Sequence, residues 1–195
     1  MSIGHEGVKQ LVRAYLETWV PIRLELIRQA LEVDTPDDPR AVILADGLPN
    51  DPEQYPCVMV MSTRIDGMGR RQAVADGEVA EYDVDYVVKV VVAVQRGEYQ
   101  GDDQAVLDRD RLLLAVRECV MLPAPLSDQV FILSNPAPEE ETGAAAKTVR
   151  DNPLAAGTVT FLVRAAEALM PTSTLQAILD GTVDIAAHDS TKPAL

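Results

Sequence analysis

Glu81, Asp83 and Asp85 occupy alternate positions of the segment EYDVD. In an extended chain alternate side chains share one face, with neighbours about 6.6 Å apart. Carboxylates at such spacing serve acid–base chemistry by a pair, or coordination of a hard cation. Either use needs a further base or more oxygen ligands, and the sequence places none beside the row. The plainer reading is an acidic, solvated strand face opposite a buried aliphatic one. Arg70 and Arg71 lie upstream in DGMGRRQAVADG, placed to meet an acidic partner or an adjacent subunit.

The other chemical motifs fail on inspection. His5 and His188 are the only histidines, and HEGVK at 5–9 has Lys9 where the zinc-protease motif HExxH requires its second histidine. A Ser-His-Asp or Cys-His site would have to recruit a histidine from one end of the chain, with no GxSxG elbow to hold the nucleophile. GMG at 67–69 lacks the third glycine of a dinucleotide fingerprint and opens no helix, so a hairpin tip accounts for it. There is no GxxxxGK[ST]. The expectation is a protein with no catalytic residue, metal or cofactor.

The acidic row begins an unusually long strand. From Val79 to Arg96, Tyr82, Val84, Tyr86, Val88, Val90, Val92 and Val94 fall on every second residue. That period belongs to a strand with one buried face. About 15 to 17 residues extend about 50 Å, where typical strands have five or six. Such a strand is expected to reach beyond its own core, toward a partner.

Upstream, residues 5–31 have apolar residues at three- and four-residue spacing, from Val8 to Leu31, with Pro21 expected to kink the helix or start a second one. AVILA at 41–45 and CVMVMSTRI at 57–65 read as strands, the second pairing antiparallel with the long strand through a tip at 66–77. Downstream, Asp102 or Asp103 is the expected N-cap of a second helix running to about Val120. Strands follow at 129–134 and 157–166, joined by a polar connection. Ser173 or Thr172 is a candidate cap for a short helix in the tail. The predicted fold is α+β: a mainly antiparallel sheet with a long β-hairpin, flanked on one face by two main helices. Residues 1–170 form the domain, and 171–195 a C-terminal extension.

The chain has 195 residues and a formal net charge of −14, from 17 basic and 31 acidic side chains. This argues against gripping nucleic acid or anionic lipid through a basic surface. It favours solubility, or a surface past which DNA slides. With two Phe, five Tyr and one Trp, the core must be aliphatic. Cys57 and Cys119 sit in apolar runs as small core residues, which fits a reducing compartment. No signal peptide is expected from MSIGHEGVKQ, and no apolar run reaches the ~18 residues of a membrane span.

Three stretches together resemble the tail terminator (head–tail joining, or neck) proteins of long-tailed bacteriophages, especially those of actinobacterial hosts. They are the proline-interrupted helix VRAYLETWVPIRLELIR at 12–28, the valine-rich strand YDVDYVVKVVVAVQRG at 82–97, and the following helix DRDRLLLAVRECVM at 108–121. The resemblance implies a virion protein assembled in the bacterial host cytoplasm as a homo-oligomeric ring, a hexamer in that family. The ring caps the tail tube, ends its polymerisation and meets the head-completion or connector proteins, while DNA passes through the lumen without specific binding. The family brings no catalytic residues. The chain departs from its compact members at the 66–77 tip, the acidic 136–152 connection and the tail after Met170. Arg70, Arg71, Glu81, Asp83 and Asp85 are the candidate subunit or partner interface, with one of the acids at the lumen or a subunit boundary. The alternatives are another neck component (connector, head-closure or tail-tube subunit) and a cellular scaffolding module that dimerises through its long strand.

Overall fold

Helix α1, Gly4–Leu31, is one continuous element that includes Pro21, so no second helix starts there. Proline removes one backbone hydrogen bond. The helix keeps its register because Val8, Val12, Leu16, Val20, Leu24 and Ile27 are buried on both sides of the break. It ends at Glu32, whose left-handed backbone (φ 55°) brings the Val33 N–H onto the Arg28 carbonyl at 3.0 Å. The computed structural model describes residues 3–44, 47–71, 80–95, 101–142, 147–149 and 152–169. The expected extension at 171–195, its short helix and His188 lie outside them.

Among the described residues the chain continues as β1 (Ala41–Leu44), a short 3-10 turn (Pro52–Gln54), β2 (Cys57–Arg70), β3 (Ala80–Gln95) and α2 (Gly101–Val120). It closes with β4 (Ala124–Ser127), β5 (Val130–Ile132), β6 (Glu139–Thr142), β7 (Lys147–Val149) and β8 (Asn152–Leu169). The strands make one sheet in the order β1-β2-β3-β8-β5-β4, with β6 and β7 also pairing β8. Every pairing is antiparallel except β1 with β2. This is the α+β, mainly antiparallel architecture expected from the sequence.

The even positions of β3 face the helices. Val84, Tyr86, Val88, Val90, Val92 and Val94 are all buried there with Val159, Phe161, Val163 and Ala165 of β8. Tyr82 packs against the same core. The strand therefore does not overshoot its core. A 28-residue helix of about 42 Å lies over a sheet built from strands of about 50 Å, so long strand and long helix match. Both edges of β3 are paired within the chain, by β2 and by β8, and β8 follows it in unbroken register from Ala80↔Leu169 to Gln95↔Leu154.

Several elements differ from expectation. Residues 66–70 are paired strand and not hairpin tip, with Gly67↔Asp85, Gly69↔Asp83 and Arg70↔Tyr82 in register; the rest of the 66–77 segment, apart from Arg71, lies outside the described residues. Helix α2 starts at Gly101, which places Asp102 and Asp103 inside its first turn and not at its cap. Its buried face is Leu112, Leu113, Ala115, Val116, Cys119 and Val120, while Leu107 points outward. The last strand runs 18 residues, not ten. The polar connection before it contributes β6 and β7.

The opposite face of the sheet carries a second, small core: Tyr55, Cys57, Met59, Ala93 and Leu154. Both cysteines are buried free thiols. A polar clamp fixes the loop after α1 onto α2: Arg111 and Gln104 both donate to Thr35 Oγ1 (2.8 and 3.0 Å) and to buried Asp108 (3.2 and 2.9 Å).

Candidate assembly surface

The acidic row lies on the sheet face away from the helices, and two of its three members are neutralised. Asp85 stands directly across from Arg164 of β8. The guanidinium grips both carboxylate oxygens, Nε to Oδ1 at 2.7 Å and Nη2 to Oδ2 at 2.8 Å. Hydrogen bonding to Asp85 holds Arg164 above its ordinary pKa, the sign expected when an anion stabilises the cation. Asp83 meets Arg71 Nε at 3.0 Å. The Arg71 N–H also donates to the Glu81 carbonyl at 2.9 Å, closing the described end of the hairpin. Glu81 and Arg70 are exposed, and neither forms a salt bridge among the described residues.

Four of the five sequence-derived interface residues thus gather at one end of the sheet, and Asp85 sits just inboard of them beside Arg164. Exposed pairs of this kind contribute little stability, about 0–1 kcal/mol each. Their consequence is electrostatic: Asp83 and Asp85 present little net negative charge. Unpaired acid is found at Glu81 and along β6, where Glu139 and Glu141 are exposed and Glu140 meets Arg117 at 3.1 Å.

A second cluster lies on the helix-covered face at the same end. Glu167, only 6% exposed, accepts a short hydrogen bond from the Tyr86 hydroxyl and one from the Gly4 N–H at 3.0 Å. His5, expected at a frayed terminus, instead sits in the first turn of α1 with its ring edge-on to Tyr86, centroids 4.9 Å apart. A carboxylate against the first N–H of a long helix also meets the positive end of its dipole. Burial is the main cause lifting the Tyr86 hydroxyl well above its ordinary pKa, and the hydrogen bond to Glu167 adds to it. This cluster latches the start of α1 to β8. Glu167→Ala leaves the Tyr86 hydroxyl and the Gly4 N–H without this acceptor. The expected cost is about 1–3 kcal/mol in urea unfolding, with Glu167→Gln recovering part of it.

Sequence reasoning missed Arg164 and Glu167. Arg164 occupies an outward position of the alternating run, one strand away from Asp85, and strand pairing alone brings the two together. Glu167 continues the inward phase of Val163 and Ala165, so extending the alternation by one step would have found it. Trp19 of α1 is 43% exposed, and Ile22 and Leu26 on the same helix are exposed as well. Among the described residues no three of His, Cys, Asp or Glu converge to hold a metal ion. Among the described residues no helix is long and apolar enough to cross a membrane. In sequence comparisons the chain matches no family model and no curated protein.

Proposed function

We propose that this chain is a structural virion subunit of the tail terminator class. It assembles as a homo-oligomeric ring, a hexamer on the resemblance, that caps the tail tube, ends its growth and joins it to the head-completion or connector proteins. The observation that carries this reading is the one-sided fold. Strands of 14, 16 and 18 residues form a long sheet with both helices on one face. The other face carries the charge pairs Asp85–Arg164 and Asp83–Arg71 toward the end where Glu81 stands, and Arg70, paired with Tyr82, lies at the same end in the helix-facing phase. Such a subunit offers neighbours the part of that face beyond the small core around Tyr55 and Cys57. DNA slides through the lumen past carboxylates that repel its phosphates. Unpaired Glu81, Glu139 and Glu141 suit that task better than Asp83 and Asp85, whose charge is already spent on arginines.

The test is to mix the purified chain with tail-tube subunits of the same virus and to measure tube lengths by electron microscopy. Bounded tubes, each bearing a ring at one end, are expected. Tubes that grow as long with the chain as without it would rule termination out, and self-polymerisation of the chain into tubes would make it a tube subunit instead.

A further inference from the structure

Among the described residues the sheet has a long open edge. β1 pairs β2 only from Cys57 to Val60, while β2 continues to Arg70. From Met61 to Arg70 no strand among the described residues covers the side of β2 away from β3. An edge of this length presents a row of unpaired backbone donors and acceptors and is a template for another strand. The other end of the sheet differs: β4 is four residues long and carries Pro125, the usual way of blunting an edge.

The open run is self-complementary in charge. Arg64 and Asp66 flank Ile65, and their 3.5 Å contact places both charges on one face of the strand. They are 69% and 47% exposed, and Ile65 is 44% exposed. Suppose a second copy lies antiparallel with the two-fold axis through Ile65. Arg64 then stands opposite Asp66 of the second copy, Asp66 opposite its Arg64, and Ile65 opposite Ile65. The same axis pairs Met61 with Gly69 and so takes in almost all of the open run. The centre of the free edge and the centre of the charge pattern thus coincide. β2 is bulged on both sides of Ile65, between Ser62 and Arg64 and between Ile65 and Gly67. Bulges and charges discourage indiscriminate pairing of an edge. A strand carrying the same charges in reverse order is the partner they do not repel.

We infer that the β2 edge is a docking site for a second copy of this chain, forming an isologous antiparallel dimer centred on Ile65. The contact goes beyond the ring reading and does not rest on it. It uses the edge at 61–69, whereas the ring candidates cluster at 70–83 and Asp85 faces away from this edge toward Arg164.

The experiment is sedimentation equilibrium of the full chain and of Arg64→Asp and Asp66→Arg variants, with circular dichroism to confirm that each is folded. The wild type is expected to be a dimer. Each single variant sets like charges across the axis twice and weakens dimerisation about tenfold or more. An equimolar mixture of the two variants restores it as a heterodimer, because every cross-axis pair is again opposite in sign. A wild type that stays monomeric at about 100 µM, where self-pairing of this quality is populated, overturns the inference. So does a dimer that both variants form as tightly as the wild type, or a mixture with no gain over its components. The tube-length assay on the same variants separates the two ideas: bounded tubes with lost dimerisation uphold both, and unbounded growth with intact dimerisation removes the ring reading alone.

Discussion

Gly157→Val is expected to cost at least about 3 kcal/mol, and Gly157→Ala about 1–3 kcal/mol, read from the midpoint of urea unfolding. Gly157 sits in the helix-facing phase of β8, opposite Val92 of β3 on one side and Thr142 of β6 on the other. A Cβ placed there would lie 2.5 Å from Leu113 Cδ1, 3.3 Å from Leu113 Cγ and 3.2 Å from the Glu141 carbonyl oxygen. Leu113 is fully buried and has little space to retreat into. The Glu141 oxygen is backbone held in the β6–β8 pairing, so it does not yield at all cheaply. Glycine therefore lets α2 approach the sheet by about one methyl group, and the core above β8 is packed to that spacing. A double-mutant cycle isolates the contact. Leu113→Ala alone opens a cavity and costs about 2–5 kcal/mol. In Leu113→Ala/Gly157→Ala the new methyl occupies part of that cavity, so the double variant should be more stable than the sum of the single losses by about 1 kcal/mol or more. Strict additivity would mean that the close approach is relieved elsewhere, through α2 or β6.

That glycine shows where sequence ceases to inform. The alternation of β3 was legible because each residue reports its own face, and the buried row Val84–Val94 follows it directly. The antiparallel β2–β3 hairpin was legible for the same reason. Strand neighbours far apart in the chain were not: β8 lies against β3 across a separation that no local period encodes, and with it came the pairing of Asp85 with Arg164. The extent of α1 was legible, but Pro21 left a second helix open as an expectation, because proline is a local signal of breakage while six buried side chains on both sides of it are a tertiary one. β6 was missed because EEET lacks the alternation of a half-buried strand. It is a strand because β8 offers an open edge at Gly157–Thr160 and backbone pairing asks nothing of the side chains. For the candidate surface, the residue types were readable and their charge state was not. A row of three acids predicts a negative patch until the arginines across the sheet are placed.

Alkaline titration should unfold this protein well below the pH at which its arginines discharge. Burial pushes the Cys57 and Cys119 thiols from 9.0 up to about 12, and the Tyr55 hydroxyl, which donates to the Pro49 carbonyl at 2.6 Å, from 10.0 up to about 12. Tyr86 is raised as well, by burial first and by Glu167 next. All four groups are neutral when protonated, so the folded state holds these protons more tightly than the unfolded chain does. Stability from such groups is fully present below the unfolded values, near pH 9 to 10, and drains away as pH climbs from there toward the folded values. The melting temperature should be nearly level from pH 7 to about 8.5 and fall steeply above about 9. The chain's excess of acid also opposes folding at high pH. That contribution is screened at about 1 M salt, where the Debye length is about 3 Å. The fall should therefore persist in high salt and flatten in Cys57→Ala/Cys119→Ala, whose starting stability is lower but which lacks both titrating thiols. A melting temperature that stays level to pH 11 in high salt would mean that these thiols and phenols reach water in the folded protein, and that the small core around Tyr55, Cys57, Met59, Ala93 and Leu154 is open.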